Sequence, residues 1–594
     1  MVDLTYRAPL DDMTFALHSV GGQADILALP PFADFDAPLI HSILEEGAKF
    51  AAHVISPLNR GGDLQGSTID AQGHVTLPDG FVDAYHQFVE QGWNAAAFPM
   101  EIGGQGLPSM AATALQEMFH GANLSFALMP LLTHSAVHLL RHYGTDFDRT
   151  HILPKLVTGE WTGVMCLTEP QAGSDVGACR TRAIPQKDGS YRLKGAKIYI
   201  SCGDHDASGN IIHMVLARLP DAPEGTRGLS LFMVPKLMVN EDGSVGDAND
   251  VKAVSLEHKL GMHATPTCVM AYGDSDDGAY ATIVGKPGEG LKAMFIMMNA
   301  ARIAVGLEGL GIAQYATQLA TDYAAERVQG RPLASDTKQD VTINQHRDVQ
   351  RMLLWMQSHT SALRALAIYA ARQVDLASHN SDEAAQQRLD LLTPVVKAHT
   401  TNLAFQIASE AIQVFGGLGY IEETGIAQLL RDVRVSMIYE GTNGIQALDL
   451  AKRKVGMDKG AALTALLAEM SATADHLTTA LPDAVTPFTH ALDHLREAGE
   501  AIQKQVAHTM SNQEGAAPFG ASAVPFQTLL GLVVEGWLLA QEATEAQRLL
   551  DADGSTFSHD FLKEKIRQAN YFIQDCLLEV ESLKKRVLLG DSLL

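Results

Sequence analysis

Cysteine is scarce in this chain of 594 residues: Cys166, Cys179, Cys202, Cys268 and Cys576 are all there is, and no two form a CxxC pair. That excludes a disulfide framework and a cysteine-rich zinc site, and it fits a reducing, cytoplasmic compartment. Positive charge is short too, with 44 lysines and arginines against 69 acids and a formal net charge of −25. Such a field disfavours nucleic acid, so an anionic ligand must be held by a few placed cations or backbone N–H groups. No run of about eighteen apolar residues escapes interruption by charge, and MVDLTYRAPLDDMTFAL lacks a basic start and an apolar core, so neither a membrane span nor a leader is expected. The 23 histidines show no HExxH spacing, and no metal is expected. What is present, 46% hydrophobic residues over this length, is enough for several cores and three or four domains.

Periodicity divides the chain. After an N-terminal extension (1–37), apolar positions three and four apart in LIHSILEEGAKFAAHV and FVDAYHQFVEQGW predict a helical domain over 38–160. Over 161–285 the period shortens to two, as in YRLKGAKIYIS, where Tyr191, Leu193, Ile198 and Ile200 mark a strand, and a β domain is predicted. Helical spacing returns over 286–455 and continues in a further helical domain, 456–594. The fold class expected is α+β, mostly α, with a β-barrel-like middle. SNQEGAAPFGASAVPF reads as a mobile connection, and FLKEKIRQANYFIQDCLLEVESLKKRVLLG as one last helix. Its apolar stripe (Phe561, Phe572, Ile573, Cys576, Leu577, Val580) reads as bundle core rather than a membrane face, because this region carries about nine more acids than bases.

Three groups could carry chemistry. VMCLTEPQAGSDVGACRT (164–181) joins hydroxyls to close-set glycines, which suits a loop that approaches a flat ring or a phosphate; taken alone, a small-residue turn explains it as well. Glu440 follows the apolar Met437, Ile438 and Tyr439 and precedes Gly441. A carboxylate so placed is partly desolvated and suited to general-base work, though a helix-terminal glutamate near a capping threonine has the same pattern. Arg302 and Arg327 could each grip an anion, or could be solvated or paired with Asp322 or Glu326.

Taken in order, CLTEPQAGSDV, YAAERVQGR, QVFGGLGY and RDVRVSMIYEGTNGIQ resemble the motifs of the acyl-CoA dehydrogenase family, over roughly Pro38–Lys454. The resemblance implies FAD and a homodimer. It places Met165, Leu167, Thr168, Tyr199 and Ser201 against the flavin ring, with tyrosine at 199 where many relatives have tryptophan. Arg327 and Gln413, Val414, Phe415, Gly416 and Gly417 correspond to positions that bind FAD across the dimer interface, and Thr442, Asn443 and Gly444 to positions beside the base. Ser174, Asn299, Arg302 and Gly441 match acyl-CoA contacts, Asn299 standing where an aspartate is common. The same resemblance makes Glu440 the base that removes the α proton while the β hydride goes to flavin N5, giving a trans-2-enoyl-CoA. Branches that carry the base on the earlier helix have it at the position of Ala301, which has no acid to offer.

The length beyond Lys454, with TYRAPLDDMTFAL, EHKLGMHATPTC and INQHRDVQRML, resembles long bacterial members, which points to a short or sulfur-containing acyl group such as 3-methylmercaptopropionyl-CoA. Electrons are then expected to pass to an electron-transfer flavoprotein. Medium- or long-chain fatty acyl-CoA dehydrogenation, an acyl-CoA oxidase and a flavin-bearing DNA-binding protein are the competing readings, the last disfavoured by charge.

Overall fold

The computed structural model describes residues 3–275, 277–333, 339–380, 382–511, 518–552 and 554–592. By packing, the chain separates into two compact units. One comprises Phe50–Leu107 and Ala122–Ala304; the other takes the described residues up to Lys49, Pro108–Gly121 and those from Val305 onward.

The first unit is built on an eight-stranded sheet. Its order is Val251–Leu256, Thr267–Tyr272, Tyr191–Ser201, Ala279–Val284, Leu229–Pro235, Ile211–Arg218 and Thr162–Cys166, with Arg182–Pro185 beside Tyr191–Ser201. Thr162–Cys166 and Leu229–Pro235 are buried at every residue, as expected of strands covered on both faces. The helix Leu124–Tyr143 covers Thr162–Cys166: a Cβ on Gly163 would sit 2.5 Å from that of Ala136, so only glycine permits this approach. In Tyr191–Ser201 the alternation breaks. Ile200 pairs with Cys268 but Lys197 pairs with Met270, so Ile198 and Tyr199 of one strand oppose Val269 alone on the other, a bulge. The extra residue, Tyr199, takes a left-handed φ of +59° and turns its ring outward, 61% exposed.

The second unit is helical and includes both ends of the chain. Gly290–Glu326 enters it from Val305, and Arg347–Asn380 packs with Glu383–Phe415. Small residues set the distances: a Cβ on Gly306 would meet Val396 Cγ1 at 2.6 Å, and one on Gly311 would meet the backbone N of Gly121 at 2.5 Å. The C-terminal helices Ala461–Ala480, Val485–Ser511, Phe519–Asp551, His559–Gln574 and Glu579–Leu589 complete the bundle. Phe519–Asp551 runs through its middle. Trp537 meets Tyr369 edge-on at 5.0 Å and donates to Thr473 Oγ1 (2.8 Å), and Glu535 Oε2 lies 3.3 Å from His359 Nδ1 and 3.2 Å from His399 Nε2. Lys565 reaches Glu542 (2.8 Å) and Asp12 (3.1 Å), while Phe15 meets Phe557 and Phe561 edge-on. The N-terminal extension is therefore core here, with Tyr6, Met13 and Phe15 all at 0% exposure.

Two expectations change. The stretch read as a mobile connection is helical from Phe519 on, because Phe519 and Phe526 are buried and Ser522 bonds Val587 O; its residues 512–517 lie outside the described residues. The last helix is two, parted by a 3-10 turn at Cys576–Leu578, and its stripe is core, with Phe572, Ile573 and Val580 at 0% exposure. Two helices, Gly290–Glu326 and Phe519–Asp551, are apolar and long enough to cross a membrane, yet 67% and 83% of their apolar windows are buried, which is the pattern of core helices.

Candidate active site

The carboxylate singled out by sequence lies on a strained turn. Between the 3-10 turn Arg434–Met437 and the helix Asn443–Asp449 the chain passes through two left-handed residues, Glu440 (φ +54°) and Gly441 (φ +83°). Glycine adopts this freely; for glutamate it costs roughly 1–2 kcal/mol, so the surroundings must impose it. They do. Lys397, with no exposed surface, donates to Gly441 O (2.9 Å) and Asn443 Oδ1 (2.8 Å). Asn443 Nδ2 donates to Asn402 Oδ1 (2.8 Å) and Thr401 Oγ1 (3.0 Å), buried Gln446 donates to Glu440 O (3.2 Å), and Thr442 Oγ1 caps the following helix at Ile445 N (3.3 Å). Glu440 itself is half-buried.

A second acid stands behind this turn. The Tyr439 hydroxyl donates to Oε2 of Glu308, which has no exposed surface. Burial pushes the Glu308 carboxyl up to about 8; the Tyr439 hydrogen bond and the Lys397 charge pull against that rise, and the Glu440 charge adds to it.

In the sheet unit, Met165 is next to last in the buried strand Thr162–Cys166, and Leu167 and Thr168 follow that strand, half-buried. Glu169 anchors their loop. Its Oε1 accepts from Lys197 Nζ (2.8 Å), Thr181 N (3.0 Å) and Thr181 Oγ1 (2.6 Å), and its Oε2 from Arg180 N (2.7 Å). Burial would raise this carboxyl, but the Lys197 charge and these donors bring it down to about 2. Lys197 also donates to Leu167 O (2.9 Å), and Ile198 N donates to Thr168 O (2.9 Å). The strand that carries Tyr199 and half-buried Ser201 is thereby tied, through Lys197 and Ile198, to the backbone of Leu167 and Thr168. Ser174 is exposed beyond them, next to Gly173, where an added Cβ would meet nothing within 4 Å. Arg302 is buried rather than solvated, bonded to Asn299 Oδ1 (3.1 Å) and 5.7 Å from the Phe295 ring centroid.

Arg327 is exposed and donates to Gln329 (3.2 Å); Asp322, its suggested partner, pairs with Arg7 instead. Gln413 is exposed, Val414 and Phe415 are buried, and Phe415 stacks on Tyr323 at 4.2 Å. Gly416 (φ +60°) and Gly417 are exposed, with nothing within 4 Å of an added Cβ. Gly444 is half-buried beside Thr442. These features suit FAD: an aromatic ring held out at a backbone bulge, and a glycine pair with room for close approach to its backbone. The residues missed by sequence are Glu169, Lys197, Glu308 and Lys397. Glu169 stands inside the quoted loop motif, and the broken alternation around Lys197 was visible; lysine in VVKAHT gave no sign of burial.

Comparison with known proteins defines the class. Models of the N-terminal, middle and C-terminal domains of acyl-CoA dehydrogenases match residues 42–160, 164–275 and 288–455, and an acetyl-CoA dehydrogenase C-terminal-like model matches 466–594. The chain belongs to the acyl-CoA dehydrogenase family and is an FAD-dependent oxidoreductase. Within it, the chain is 42% identical to 3-methylmercaptopropionyl-CoA dehydrogenase of Ruegeria pomeroyi, covering 100% of this chain and 99% of that one. It is 32% identical to a butyryl-CoA dehydrogenase of Syntrophomonas wolfei, covering 96% and 94%. In fold it matches an acyl-CoA dehydrogenase complexed with FAD from Bacillus anthracis, with a TM-score of 0.73 at 20% identity over 95% of this chain and 90% of that one.

Proposed function

We propose that the enzyme converts a short acyl-CoA, 3-methylmercaptopropionyl-CoA or a close analogue, to the trans-2-enoyl-CoA, with Glu440 as the base. The observation that carries this is the turn itself: a half-buried carboxylate held in a left-handed backbone by buried Lys397, Gln446 and Asn443. Strain kept in place at such cost belongs to a group that must point one way. The short substrate is supported by full-length similarity to the methylmercaptopropionyl enzyme and by the similarity to a butyryl enzyme.

Bound FAD supplies the acceptor for the β hydride. The protein does the rest. Glu440 receives the α proton, and the Lys397 bonds keep its backbone from relaxing as charge leaves the carboxylate. Tyr199, Ser201, Met165, Leu167 and Thr168 wall the ring, with Thr168 fixed through Ile198. Arg302, Asn299, Ser174 and Gly441 are assigned to the acyl-CoA, and Arg327, Gln413–Gly417 and Thr442–Gly444 to the cofactor. We further propose a cytoplasmic homodimer that passes electrons to an electron-transfer flavoprotein; exposed Leu418, Tyr420 and Ile421 beside the glycine pair offer an apolar face for the second copy.

The test is flavin bleaching by acyl-CoAs of increasing length together with the methylthio compound. The methylthio and four-carbon thioesters are expected to bleach fastest, and a preference for chains of about twelve carbons or more would reject the short substrate. Slow reoxidation in air is expected; fast reoxidation with peroxide release would make the enzyme an oxidase.

A further inference from the structure

We propose that Glu308 is a positioning residue for the base: a buried, neutral carboxylic acid, bonded to the Tyr439 hydroxyl, whose charge on ionisation sets how strongly Glu440 holds the proton it takes. The inference rests on Glu440 being the base.

The geometry builds this from the glycines upward. Glu308 lies between Gly306 and Gly309, whose missing side chains bring its helix against Val396 and Thr401 of Glu383–Phe415. That approach leaves Glu308 with no contact with solvent. Its Oε2 accepts from Tyr439, the residue before the base, and its Oε1 is buried with no hydrogen-bond partner among the described residues. No cation among them stands within ion-pair distance of it. Lys397, nearby on the facing helix, directs two bonds to Gly441 O and Asn443 Oδ1.

An ionised carboxylate with an orphan oxygen and no ion pair costs far more to bury than a protonated one. Glu308 is therefore neutral at pH 7, in accord with the raised ionisation near 8. The charged and titratable groups that act on it are Tyr439, Lys397 and Glu440. When Glu308 ionises, a second negative charge faces Glu440, which then binds its proton more tightly, and the two acids titrate as a coupled pair. The base is strengthened only in the alkaline range.

The experiment compares wild type, Glu308→Gln, Tyr439→Phe and Glu440→Gln as FAD-loaded proteins, after thermal melting confirms folding. In wild type the bleaching rate at saturating substrate is expected to rise about two- to threefold as pH passes through about 8. Glu308→Gln should be flat across that range and lose the protonated-carboxyl band seen in infrared difference spectra taken between neutral and alkaline pH. In Tyr439→Phe the rise should move to higher pH, since that hydroxyl favours the ionised acid. Wild-type and Glu308→Gln profiles that superimpose, or a carboxyl band that persists in Glu308→Gln, would overturn the proposal. Bleaching that survives in Glu440→Gln would overturn the base assignment itself, so the two failures are distinguishable.

Discussion

Two lysines without exposed surface, one in each unit, are used in opposite ways. Lys197 meets a carboxylate: Glu169 is held ionised, down at about 2, and its oxygens gather the loop after Met165. Lys397 donates to two neutral oxygens, Gly441 O and Asn443 Oδ1, and buried Glu308, on which its charge acts, is left high at about 8. An ion pair makes a rigid frame that is indifferent to pH near neutrality. A lysine that fixes backbone beside an unpaired acid makes a turn whose electrostatics still respond to pH. The first arrangement suits a wall for a planar ring; the second suits a base that must change charge in every turnover.

The contrast is best broken by removing each lysine. Lys197→Met leaves Glu169 as a buried carboxylate without its cation, a loss of about 3–5 kcal/mol by chemical denaturation. Adding Glu169→Gln should recover part of it, and no recovery would mean the pair is not the source. Lys397→Met removes the donor to Gly441 O and Asn443 Oδ1, so about 1–3 kcal/mol is expected, yet the freed turn should lower kcat on the order of 10–100-fold with little change in FAD content. A variant that loses stability and keeps full kcat would show that the turn does not need its lysine.

The pH dependence of stability sharpens the same contrast, because the signs are opposite. The Glu169 carboxyl is depressed from 4.5 to about 2, so its contribution is present above about 4.5 and fades as pH falls toward 2. Glu308 is raised from 4.5 to about 8, so its neutral form contributes fully below about 4.5, and that contribution is lost as pH rises through 8. Melting curves should therefore show wild type losing ground to Glu169→Gln on the acid side and to Glu308→Gln on the alkaline side. The smallest effect is Thr442→Ala, which removes a cap from a short helix and should cost about 0.5–1 kcal/mol.

Much of the fold was legible because periodicity is local: the two-residue period of the sheet and the helical spacing on either side of it are both properties of neighbouring residues. Glu440 was legible for the same reason, since an acid between an apolar run and a glycine announces a turn. Its left-handed backbone was not, because φ is imposed here by Lys397, 43 positions away. Glu308 carries no local sign of burial in the sequence, because the neighbours that enclose it are tertiary. The stretch from Phe519 misled for the converse reason: its glycines, alanines and prolines have weak local preference, and burial of Phe519 and Phe526 decides for helix. The one last helix divides at Asp575, where a 3-10 turn, Cys576–Leu578, holds Cys576 and Leu577 buried.

The central claim is that Glu440 takes the α proton, and the most direct measurement is exchange of the acyl α-hydrogen with solvent. An α-deuterated thioester that binds but desaturates slowly is incubated with wild type and with Glu440→Gln, each carrying its full complement of FAD, and deuteron loss is followed by mass spectrometry. Wild type is expected to exchange the label and Glu440→Gln to retain it; exchange at the wild-type rate in the folded, flavin-loaded Glu440→Gln protein would contradict the account.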